Sequence, residues 1–406
     1  MTKEEQQTSQ FERTQVMEKI LPRLGLVLLT ILSVIVLLFS VGTVFTGLPV
    51  VGSVANIVTV GFLHLWLPLC VLLFLGSLAL FITGRKKKLR LLLLILAVIS
   101  LGFTVFFTCF NIMTVINMRI PGLKHNVFPS KEDVSAVTME TYTYTESAYS
   151  SLQLDVYRLD DGMQGKPVMI YLHGGGWIQG SRTDHSYYSK AFANHGYVVF
   201  CPDYDLSSEE RHLADTTEKQ LLEAFAWVKQ HAGDFGGDIS RLYVTGGSAG
   251  GNLALEISYK IAAGIYTVSS DGTALPTVRA VSVTFPVVDL EGFYRNNDLV
   301  FGSMARRMAG GYTGCTPEEA PELYAGLNPI NSVTPQSTPT CILVGEGDAL
   351  VPPWPASELT RVLLDAGVEH RTFFVPFANH IFDLVDGNML NNTYLALSLA
   401  WFEQFS

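Results

Sequence analysis

The stretch Leu242–Asn252 reads LYVTGGSAGGN, and it decides which fold we expect for the chain. The residues before the glycines form a short apolar strand, and a helix is predicted from Gly251 onward. Between them, Ser248 stands at the centre of a G-x-S-x-G pattern. So sharp a turn brings together the residues two positions before and after the serine, which is why Gly246 and Gly250 fit there. The pattern predicts Ser248 as an exposed nucleophile at the end of a strand.

A second glycine-rich turn, HGGGW at residues 173–177, follows the predicted strand Val168–Leu172. Consecutive glycines let backbone N–H groups approach a ligand closely, because no Cβ stands in the way. Such groups stabilise the oxyanion that acyl transfer creates, so Gly174, Gly175 and Gly176 are candidate oxyanion-hole residues. A flexible turn is the alternative. Neither glycine run matches G-x-G-x-x-G or the P-loop, which argues against a nucleotide site.

A serine hydroxyl is a weak nucleophile that needs a base, and the base needs an acid to orient it. Asp348 comes just after the predicted strand Cys341–Val344, and His380 comes just after the predicted strand Arg371–Val375. Open α/β sheets place their sites at the carboxyl ends of parallel strands. We therefore predict Ser248, Asp348 and His380 as a catalytic triad. The chain also offers one alternative base and two alternative acids: His370, Glu346 and Asp383.

Beyond residue 130 the chain alternates short apolar strands with helices, which is typical of a parallel sheet covered on both faces. The predicted strands are residues 138–145, 152–157, 168–172, 197–202, 242–245, 280–285, 341–344 and 371–375. The predicted helices are residues 209–235, 251–262, 355–366 and a last one from about residue 391. One sizeable insertion, residues 291–328, has the length of a lid or pocket wall.

The composition of the amino-terminal part predicts that lipid, instead of water, surrounds it. Charged residues make up only 16% of the 406 residues, against about 25% in soluble proteins. Three apolar stretches, residues 24–45, 58–82 and 91–116, each exceed the roughly 20 residues that a helix needs to cross a bilayer. The first is too long for a signal peptide, and no small-residue cleavage site follows it. We therefore predict three transmembrane helices.

The distribution of charge predicts how these helices are oriented. Residues 1–130 carry 11 Lys and Arg but only 4 Glu, whereas the remainder carries 16 basic and 33 acidic residues. Basic residues concentrate in the amino-terminal tail and the turn Arg85–Arg90, and residues 46–57 carry no charge. Short basic segments stay in the cytoplasm. This predicts a cytoplasmic amino terminus and an acidic domain outside the cytoplasmic membrane. The net charge of −10 argues against nucleic acid as a partner.

The predicted organisation is a tail at 1–23, a transmembrane region at 24–117, a linker at 118–137 and a catalytic domain at 138–406. The five cysteines show no C-x-x-C or zinc-type spacing. We expect neither a metal ion nor an organic cofactor.

Together these motifs resemble the α/β-hydrolase superfamily, specifically the esterases of the hormone-sensitive-lipase-like and feruloyl-esterase-like branch with an HGGGW motif. The resemblance covers roughly residues 138–406 and includes FGGD at 235–238, PIN at 329–331 and VPP at 351–353. It implies an α/β-hydrolase fold with a mostly parallel eight-stranded sheet and helices on both faces. It also implies that Ala249 donates to the oxyanion together with Gly175 and Gly176, and that His173 and Trp177 are structural.

Two positions depart from this branch. Its members usually read Asp-Tyr-Arg-Leu where this chain has Asp203-Tyr204-Asp205-Leu206, and Gln220 stands where an acidic residue is common. Since both positions support the site from behind, the departures predict a rearranged salt bridge and leave the substrate class open.

The expected function is a membrane-anchored serine carboxylic-ester hydrolase that acts on a small acyl ester through an acyl-enzyme intermediate. The expected partners are that substrate and the lipid bilayer. Three alternatives remain open: a serine exopeptidase, an acyltransferase on the same fold, and a catalytically idle membrane scaffold.

Overall fold

The computed structural model describes residues 3–83 and 87–406. Side chains are described from residue 21 onward, except for that of Pro22. Two residues of the predicted basic turn, Arg85 and Lys86, therefore lie outside the described residues. The same is true of three basic side chains of the predicted tail: Lys3, Arg13 and Lys19.

Four helices form the amino-terminal part: α1 (Lys3–Val44), α2 (Val51–Thr59), α3 (Leu63–Thr83) and α4 (Lys87–Asn117). Segments of α1, α3 and α4 are long and apolar enough to cross a membrane. These match the three predicted spans, but α2 was expected as a loop running into the second span. Its Ser53, Asn56 and Thr59 recur at helical spacing and are buried, which explains why this segment forms a helix of its own. The second long helix therefore begins at Leu63 instead of residue 58.

The three long helices pack through small and polar side chains and turn large apolar side chains outward. Ser40 Oγ lies 3.2 Å from Thr104 Oγ1 and accepts a hydrogen bond from Trp66 Nε1 at 3.3 Å. Thr43 and Thr59 join α1 to α2 through hydroxyl groups 2.6 Å apart. Polar contacts inside and apolar residues outside are the arrangement expected of helices that have lipid as their solvent.

An eight-stranded sheet forms the centre of the carboxyl-terminal part. Its strands are β1 (Val137–Glu146), β2 (Ser151–Leu159), β3 (Lys166–Leu172), β4 (Val198–Pro202), β5 (Gly237–Gly247), β6 (Val278–Thr284), β7 (Thr340–Gly345) and β8 (His370–Val375). Their order across the sheet is β1-β2-β4-β3-β5-β6-β7-β8. The pairs β1–β2 and β2–β4 are antiparallel, and all other pairs are parallel. The predicted mostly parallel sheet is confirmed.

Helices cover both faces of the sheet, as expected for the α/β-hydrolase fold. They are α5 (Ser186–Asn194), α6 (Ala214–His231), α7 (Ala249–Ala262), α8 (Leu290–Tyr294), α9 (Gly302–Thr313), α10 (Pro321–Gly326), α11 (Trp354–Asp365) and α12 (Met389–Glu403). Apolar residues of α6, α7 and α11 share one core with Val168 and Ile170 of β3. Residues of α5 and α12 share a second core with Met169 and Tyr171. Successive residues of one buried strand thus serve opposite cores.

One predicted helix is shorter than expected. Residues 209–235 were predicted as a single helix, but α6 covers only Ala214–His231, and a one-turn 3₁₀ helix follows at Ala232–Phe235. Ser208 and Arg211 instead pair with each other across a tight turn. The polar run before α6 has no apolar face to bury, so it makes this local turn instead.

The helical bundle meets the sheet at the carboxyl ends of its strands. Asn388 Nδ2, just before α12, donates a hydrogen bond to the Gly61 carbonyl between α2 and α3 at 3.1 Å. The ring of Phe377, just after β8, lies 5.9 Å from that of Phe106 and 6.2 Å from that of Phe110, both in α4. The loops that would carry a site at this edge therefore contact the amino-terminal helices.

Candidate active site

The turn between β5 and α7 has the geometry that the sequence predicts. Ser248 adopts φ 56° and ψ −124°, a strained conformation for a residue other than glycine. A Cβ on Gly246 would lie 2.6 Å from the Gly250 carbonyl oxygen, and a Cβ on Gly250 would lie 2.5 Å from the His173 carbonyl oxygen. Both positions therefore exclude every side chain, which is the physical reason for the glycines.

The structure brings the three predicted triad residues together. His380 Nε2 lies 3.0 Å from Ser248 Oγ, and His380 Nδ1 lies 2.7 Å from Asp348 Oδ2. The other carboxylate oxygen of Asp348 accepts hydrogen bonds from the N–H groups of Leu350 at 3.0 Å and Val351 at 2.8 Å. Those two bonds fix the carboxylate, so the histidine ring is oriented from one side and presents Nε2 to the serine on the other.

The alternative base and acids make different contacts. His370 is the first residue of β8, at the opposite edge of the sheet, and its Nδ1 lies 2.8 Å from the Val368 carbonyl. Glu346 is exposed to solvent. Asp383 accepts a hydrogen bond from Tyr188 Oη at 2.9 Å, and burial raises its pKa. Among the residues that the structure describes, none of the three hydrogen-bonds to His380.

The predicted oxyanion-hole residues lie beside the nucleophile. A Cβ on Gly174 would lie 2.9 Å from the Gly247 carbonyl oxygen and 3.4 Å from Ser248 Cβ. Gly175 and Gly176 adopt φ 108° and 60°, in the left-handed region that favours glycine. Within the described chain, their N–H groups donate no hydrogen bond. Ala249 is the first residue of α7, and the first N–H groups of a helix have no acceptor within the helix.

His173 and Trp177 support this loop from inside. His173 Nδ1 lies 2.8 Å from the Gly174 carbonyl, and its ring stacks on Tyr204 with centroids 4.2 Å apart. Burial lowers the pKa of His173, which favours the neutral ring. Trp177 stacks on Tyr312 of α9 with centroids 4.6 Å apart. Neither residue contacts Ser248 Oγ, in agreement with a structural role.

A cavity of about 540 Å³ opens above Ser248 and His380. Part of its wall is apolar and comes from the insertion between β6 and β7, through Phe301, Met304 and Met308. The insertion of residues 291–328 therefore acts as a pocket wall, as its length indicated. The polar lining comes from the loop after β3 and from the segment after His380: Gln179, Asp184, His185 and Asp383.

The two departures from the family pattern contact each other. Gln220 Nε2 donates to Asp205 Oδ2 at 2.7 Å, and the Asp205 N–H donates to Gln220 Oε1 at 3.0 Å. An amide–carboxylate pair thus stands at the two positions that depart from the family pattern. The salt bridge at this loop is made by Asp203, which accepts hydrogen bonds from the backbone N–H and the guanidinium of Arg182, both at 2.6 Å.

Sequence reasoning missed two asparagines that hold the site. Asn379 Oδ1 accepts hydrogen bonds from the N–H groups of Ala349 at 3.0 Å and His380 at 2.7 Å. Its Nδ2 donates to Asn56 Oδ1 of α2 at 2.6 Å. The signal for α2 was present as polar residues at positions 53, 56 and 59 of an otherwise apolar stretch. Nothing local indicated that Asn56 would pair with Asn379, 323 residues further along the chain.

Comparison with known families settles the family of the chain. The sequence profile of the BD-FAE family matches residues 154–363, which is more than half of the chain. The chain belongs to the BD-FAE family. The matched region contains Ser248, Asp348 and the glycine-rich loop after β3, whereas His380 lies beyond its end.

Curated relatives of this BD-FAE protein carry esterase names. Esterase LipC of Mycobacterium tuberculosis is 27% identical over 252 residues, which are 61% of this chain and 60% of LipC. Esterase LipQ of the same organism is 27% identical over 57% of this chain and 54% of its own length. Ethyl acetate hydrolase of Pseudomonas putida is 28% identical over 62% of this chain and 74% of its own length. The match thus spans between half and two thirds of LipC and LipQ.

Solved structures show the same fold. Esterase B of Lactobacillus rhamnosis superposes with a TM-score of 0.55 at 21% identity, over 68% of this chain and 89% of its own. A truncated carbohydrate esterase from gut microbiota superposes with a TM-score of 0.57 at 20% identity, over 68% of this chain and 98% of its own. At these identities the likeness concerns the α/β-hydrolase fold of the BD-FAE part.

Proposed function

We propose that this chain is a membrane-anchored serine carboxylic-ester hydrolase. The observation that carries the proposal is the continuous set of contacts from Asp348 through His380 to Ser248 at the base of a cavity. The esterase names of the curated relatives support hydrolysis of a carboxylic ester. In the part of the chain that the structure describes, no group of three or more His, Cys, Asp or Glu side chains is placed to hold a metal ion.

In the first step, Ser248 Oγ attacks the ester carbonyl carbon while His380 Nε2 takes its proton. Asp348 holds the imidazole in the tautomer that presents Nε2 as a base, and it stabilises the imidazolium that forms. The strained backbone at Ser248 lifts Oγ above the turn, within 3.0 Å of that base. The serine therefore needs little rearrangement to react.

The carbonyl oxygen becomes an oxyanion in this step. The N–H groups of Gly175, Gly176 and Ala249 are its proposed donors, and each such donor contributes about 10²–10³ in rate. His173 contributes indirectly, because its contact to the Gly174 carbonyl fixes the loop that carries two of these donors.

Collapse of the intermediate breaks the bond between the carbonyl carbon and the alcohol oxygen. His380 returns its proton to the alcohol, which leaves, and the acyl group stays on Ser248. A water molecule then attacks the acyl carbonyl while His380 takes one of its protons. The carboxylic acid leaves, and Ser248 regains its hydrogen.

The membrane assignment belongs to the same proposal. We take residues 24–117 as the transmembrane region, 118–137 as the linker and 138–406 as the catalytic domain, with residues 1–23 in the cytoplasm. The segment before α3 and the second half of α4 contact the catalytic domain, and the end of α1 packs on α2, which also contacts that domain. These contacts support placing the domain on the side of the membrane opposite the tail.

Hydrolysis of a short-chain aryl ester by the purified full-length protein tests the proposed chemistry. We expect Ser248→Ala to lower kcat by about 10⁴-fold or more, because the nucleophile is lost. Ser240→Ala, an exposed serine in β5, is the matched control and keeps kcat within about twofold. Equal activity of Ser248→Ala and the unaltered protein would contradict the mechanism.

A further inference from the structure

Helix α2 has an inverted arrangement of polar and apolar side chains. Its three polar residues, Ser53, Asn56 and Thr59, are 7% exposed or less. The partly exposed residues of the same helix are its large apolar ones: Val51, Val54, Ile57 and Val58. A surface helix in water shows the opposite pattern. The free side of α2 is therefore suited to lipid instead of water.

The position of α2 agrees with this chemistry. The segment before it carries exposed Phe45, Leu48 and Val50, which are 54%, 41% and 52% exposed. It follows the span that ends at Val44 and precedes the span that begins at Leu63. A short helix with an apolar free side between the ends of two spans lies in the membrane surface.

The same helix forms part of the active-site cavity. Ile57 lines the cavity that contains Ser248 and His380. Apolar side chains from other elements continue this wall: Phe301, Met304, Met308 and Leu350. Ile57 thus belongs both to the partly exposed side of α2 and to the wall of the site.

The remaining lining is suited to a polar alcohol. Asp383 is 2% exposed, and within the described chain its Oδ1 has no hydrogen-bond partner. Asp184 and His185 line the same part of the cavity. Buried polar atoms without partners are costly, so a ligand that bears hydroxyl groups here would remove that cost.

We propose that the substrate is an acyl ester resident in the membrane: an amphipathic lipid whose acyl chain contacts Ile57 at the cavity wall and whose hydroxyl-bearing alcohol meets Asp383. The inference rests on the proposed hydrolase function and adds its substrate class. Ser248 takes the acyl group from the lipid oxygen, His380 protonates that oxygen, and water releases the fatty acid. The lipid reaches Ser248 past Ile57 without leaving the membrane surface.

The test compares two esters with the full-length protein in phosphatidylcholine vesicles. One is 1,2-dioleoylglycerol in the bilayer, and the other is a water-soluble butyryl aryl ester. Ile57→Gln is the variant, and Val54→Gln is its control, since Val54 shares the partly exposed side of α2 but does not line the cavity. We expect Ile57→Gln to lower the ratio of dioleoylglycerol to butyryl-ester hydrolysis about tenfold. Val54→Gln should leave that ratio within about twofold.

The outcomes separate this inference from the function on which it rests. Hydrolysis of the butyryl ester without hydrolysis of dioleoylglycerol overturns the membrane substrate and leaves the hydrolase proposal in place. An unchanged ratio in Ile57→Gln overturns the route past α2. Loss of both activities, with no fluorophosphonate labelling of Ser248, removes the hydrolase proposal and this inference with it.

A second inference comes from a different set of contacts. Asn56 is fully buried, and its Nδ2 donates to the Gly347 carbonyl beside Asp348 at 3.2 Å. Its Oδ1 accepts from Asn379 Nδ2 at 2.6 Å. Asn379 in turn accepts from the N–H groups of Ala349 and His380. One side chain of the membrane part therefore joins the two loops that carry the acid and the base.

We infer that Asn56 is a positioning residue for the catalytic pair, acting through Asn379. Each loop follows a different strand, so their spacing depends on what joins them beyond the sheet. The hydrogen bonds of Asn56 to the two loops therefore help to maintain the distance of 2.7 Å between His380 Nδ1 and Asp348 Oδ2. Misplacement of a catalytic group by about 1 Å costs about 10²-fold in rate.

Asn56→Ala tests the inference on the water-soluble butyryl ester. We expect kcat to fall about tenfold to a hundredfold with KM within about twofold, because the chemical step is affected and the cavity is not. Thr59→Val is the matched control: it removes a buried polar contact of the same helix, but that contact is to Thr43 within the bundle. We expect the control to keep kcat within about twofold.

Expressing kcat per serine titrated by a fluorophosphonate removes any effect of unfolded protein. An equal loss of kcat in Thr59→Val would show general damage to α2 and overturn the positioning role. An unchanged kcat per titrated site in Asn56→Ala would also overturn it.

Discussion

Several residues of the active site have backbone conformations that side chains rarely adopt. Ser248, Phe377 and Ile381 adopt φ values of 56°, 60° and 52°, and the last two flank His380. Conformations of this kind cost about 1–3 kcal/mol each and persist only where the surroundings hold them. Here packing holds them, since the Phe377 ring contacts α4 and the His380 ring lies 4.5 Å from that of Phe285. The strain sits where the nucleophile and base are presented.

The glycine after Ser248 gives a prediction about stability. In Gly250→Ala the new Cβ would overlap the Leu172 carbonyl and lie 2.5 Å from that of His173, so β3 and α7 would have to separate. We expect the thermal midpoint to fall by at least about 5 °C and the ester hydrolysis to be lost. Gly233→Ala is the control, because a Cβ there meets no atom within 4 Å. Its midpoint should stay within about 2 °C, and equal effects of both changes would contradict the steric account.

The acid of the triad gives a prediction about rate. Asp348→Asn keeps the shape of the side chain but offers an amide to His380 Nδ1, which stabilises the wrong tautomer and removes the charge that supports the imidazolium. We expect kcat for a short-chain aryl ester to fall by about 10³–10⁴-fold. Glu346→Gln removes a neighbouring exposed charge and should keep kcat within about twofold. Activity above about a tenth of normal in Asp348→Asn would point to another acid.

At the scale of elements, a buried charge cluster joins α6 to α7. Lys260 of α7 lies 3.0 Å from Glu218 of α6 and 3.1 Å from Glu256, one turn earlier in its own helix. Ser332 Oγ donates to Glu256 Oε2 at 2.9 Å. Burial raises the pKa of Glu256 to about 7, with Glu218 adding to the effect. Two carboxylates therefore share one ammonium group, and ionisation of the second is unfavourable.

This cluster predicts a stability that depends on pH. Because the pKa of Glu256 in the folded state lies above its usual value of 4.5, the protonated carboxyl stabilises the fold at low pH. That contribution is lost as pH rises from about 4.5 through about 7, by on the order of 1–3 kcal/mol. The thermal midpoint of Glu256→Gln minus that of the unaltered protein should therefore increase by about 3 °C or more between pH 5 and pH 8. Glu322→Gln, an exposed carboxylate of α10, should show no such gain; a constant difference for Glu256→Gln would contradict the raised pKa.

Elements with a strong local signal were predictable from the sequence. The strand, glycine turn and helix around Ser248 are specified by neighbouring residues, because strand packing, turn sterics and helix packing act within a dozen positions. The sheet followed from repeated apolar strands, and the positions of Asp348 and His380 followed from the rule that sites lie at the carboxyl ends of strands.

What the sequence did not predict depends on contacts between distant parts. Helix α2 was expected as a loop, because the hydrogen bonds of its Ser53 and Asn56 are to residues more than 200 positions away. The departures at Asp205 and Gln220 predicted a rearranged salt bridge, and only the fold shows that these two side chains pair with each other while Arg182 pairs with Asp203. Polar pairs between distant residues produce no periodic pattern in the sequence from which they could be predicted.

At the scale of the whole molecule, the amino-terminal helices contact the carboxyl-terminal domain at loops that carry the candidate active site. Ser53 Oγ of α2 donates to Asp298 at 2.7 Å, and Asp298 accepts from the N–H groups of Val300 and Phe301 at the cavity wall. Together with Asn56, these contacts make the amino-terminal helices part of the site. Substitutions of Ser53 or Asn56, whose hydrogen bonds reach these loops, should therefore affect catalysis.

The proposed topology predicts which surfaces face outward. The test uses two variants in a background in which Cys109 and Cys315 are replaced by serine. One variant is Met163→Cys, at an exposed residue of the catalytic domain, and the other is Lys88→Cys, in the basic turn. A membrane-impermeant maleimide should label Met163→Cys in intact cells and Lys88→Cys only after permeabilisation, because the positive turn stays in the cytoplasm. The reverse labelling pattern would show that the protein has the opposite orientation in the membrane.

The central claim is that Ser248 is the nucleophile of a serine hydrolase, and labelling with a fluorophosphonate tests it most directly. The probe is applied to the full-length protein in its membrane, and the modified residue is located by mass spectrometry. The account predicts one adduct on Ser248, strongly slowed in His380→Ala and absent from Ser248→Ala. A folded protein that takes up no probe, or an adduct on another serine that persists in Ser248→Ala, would contradict it.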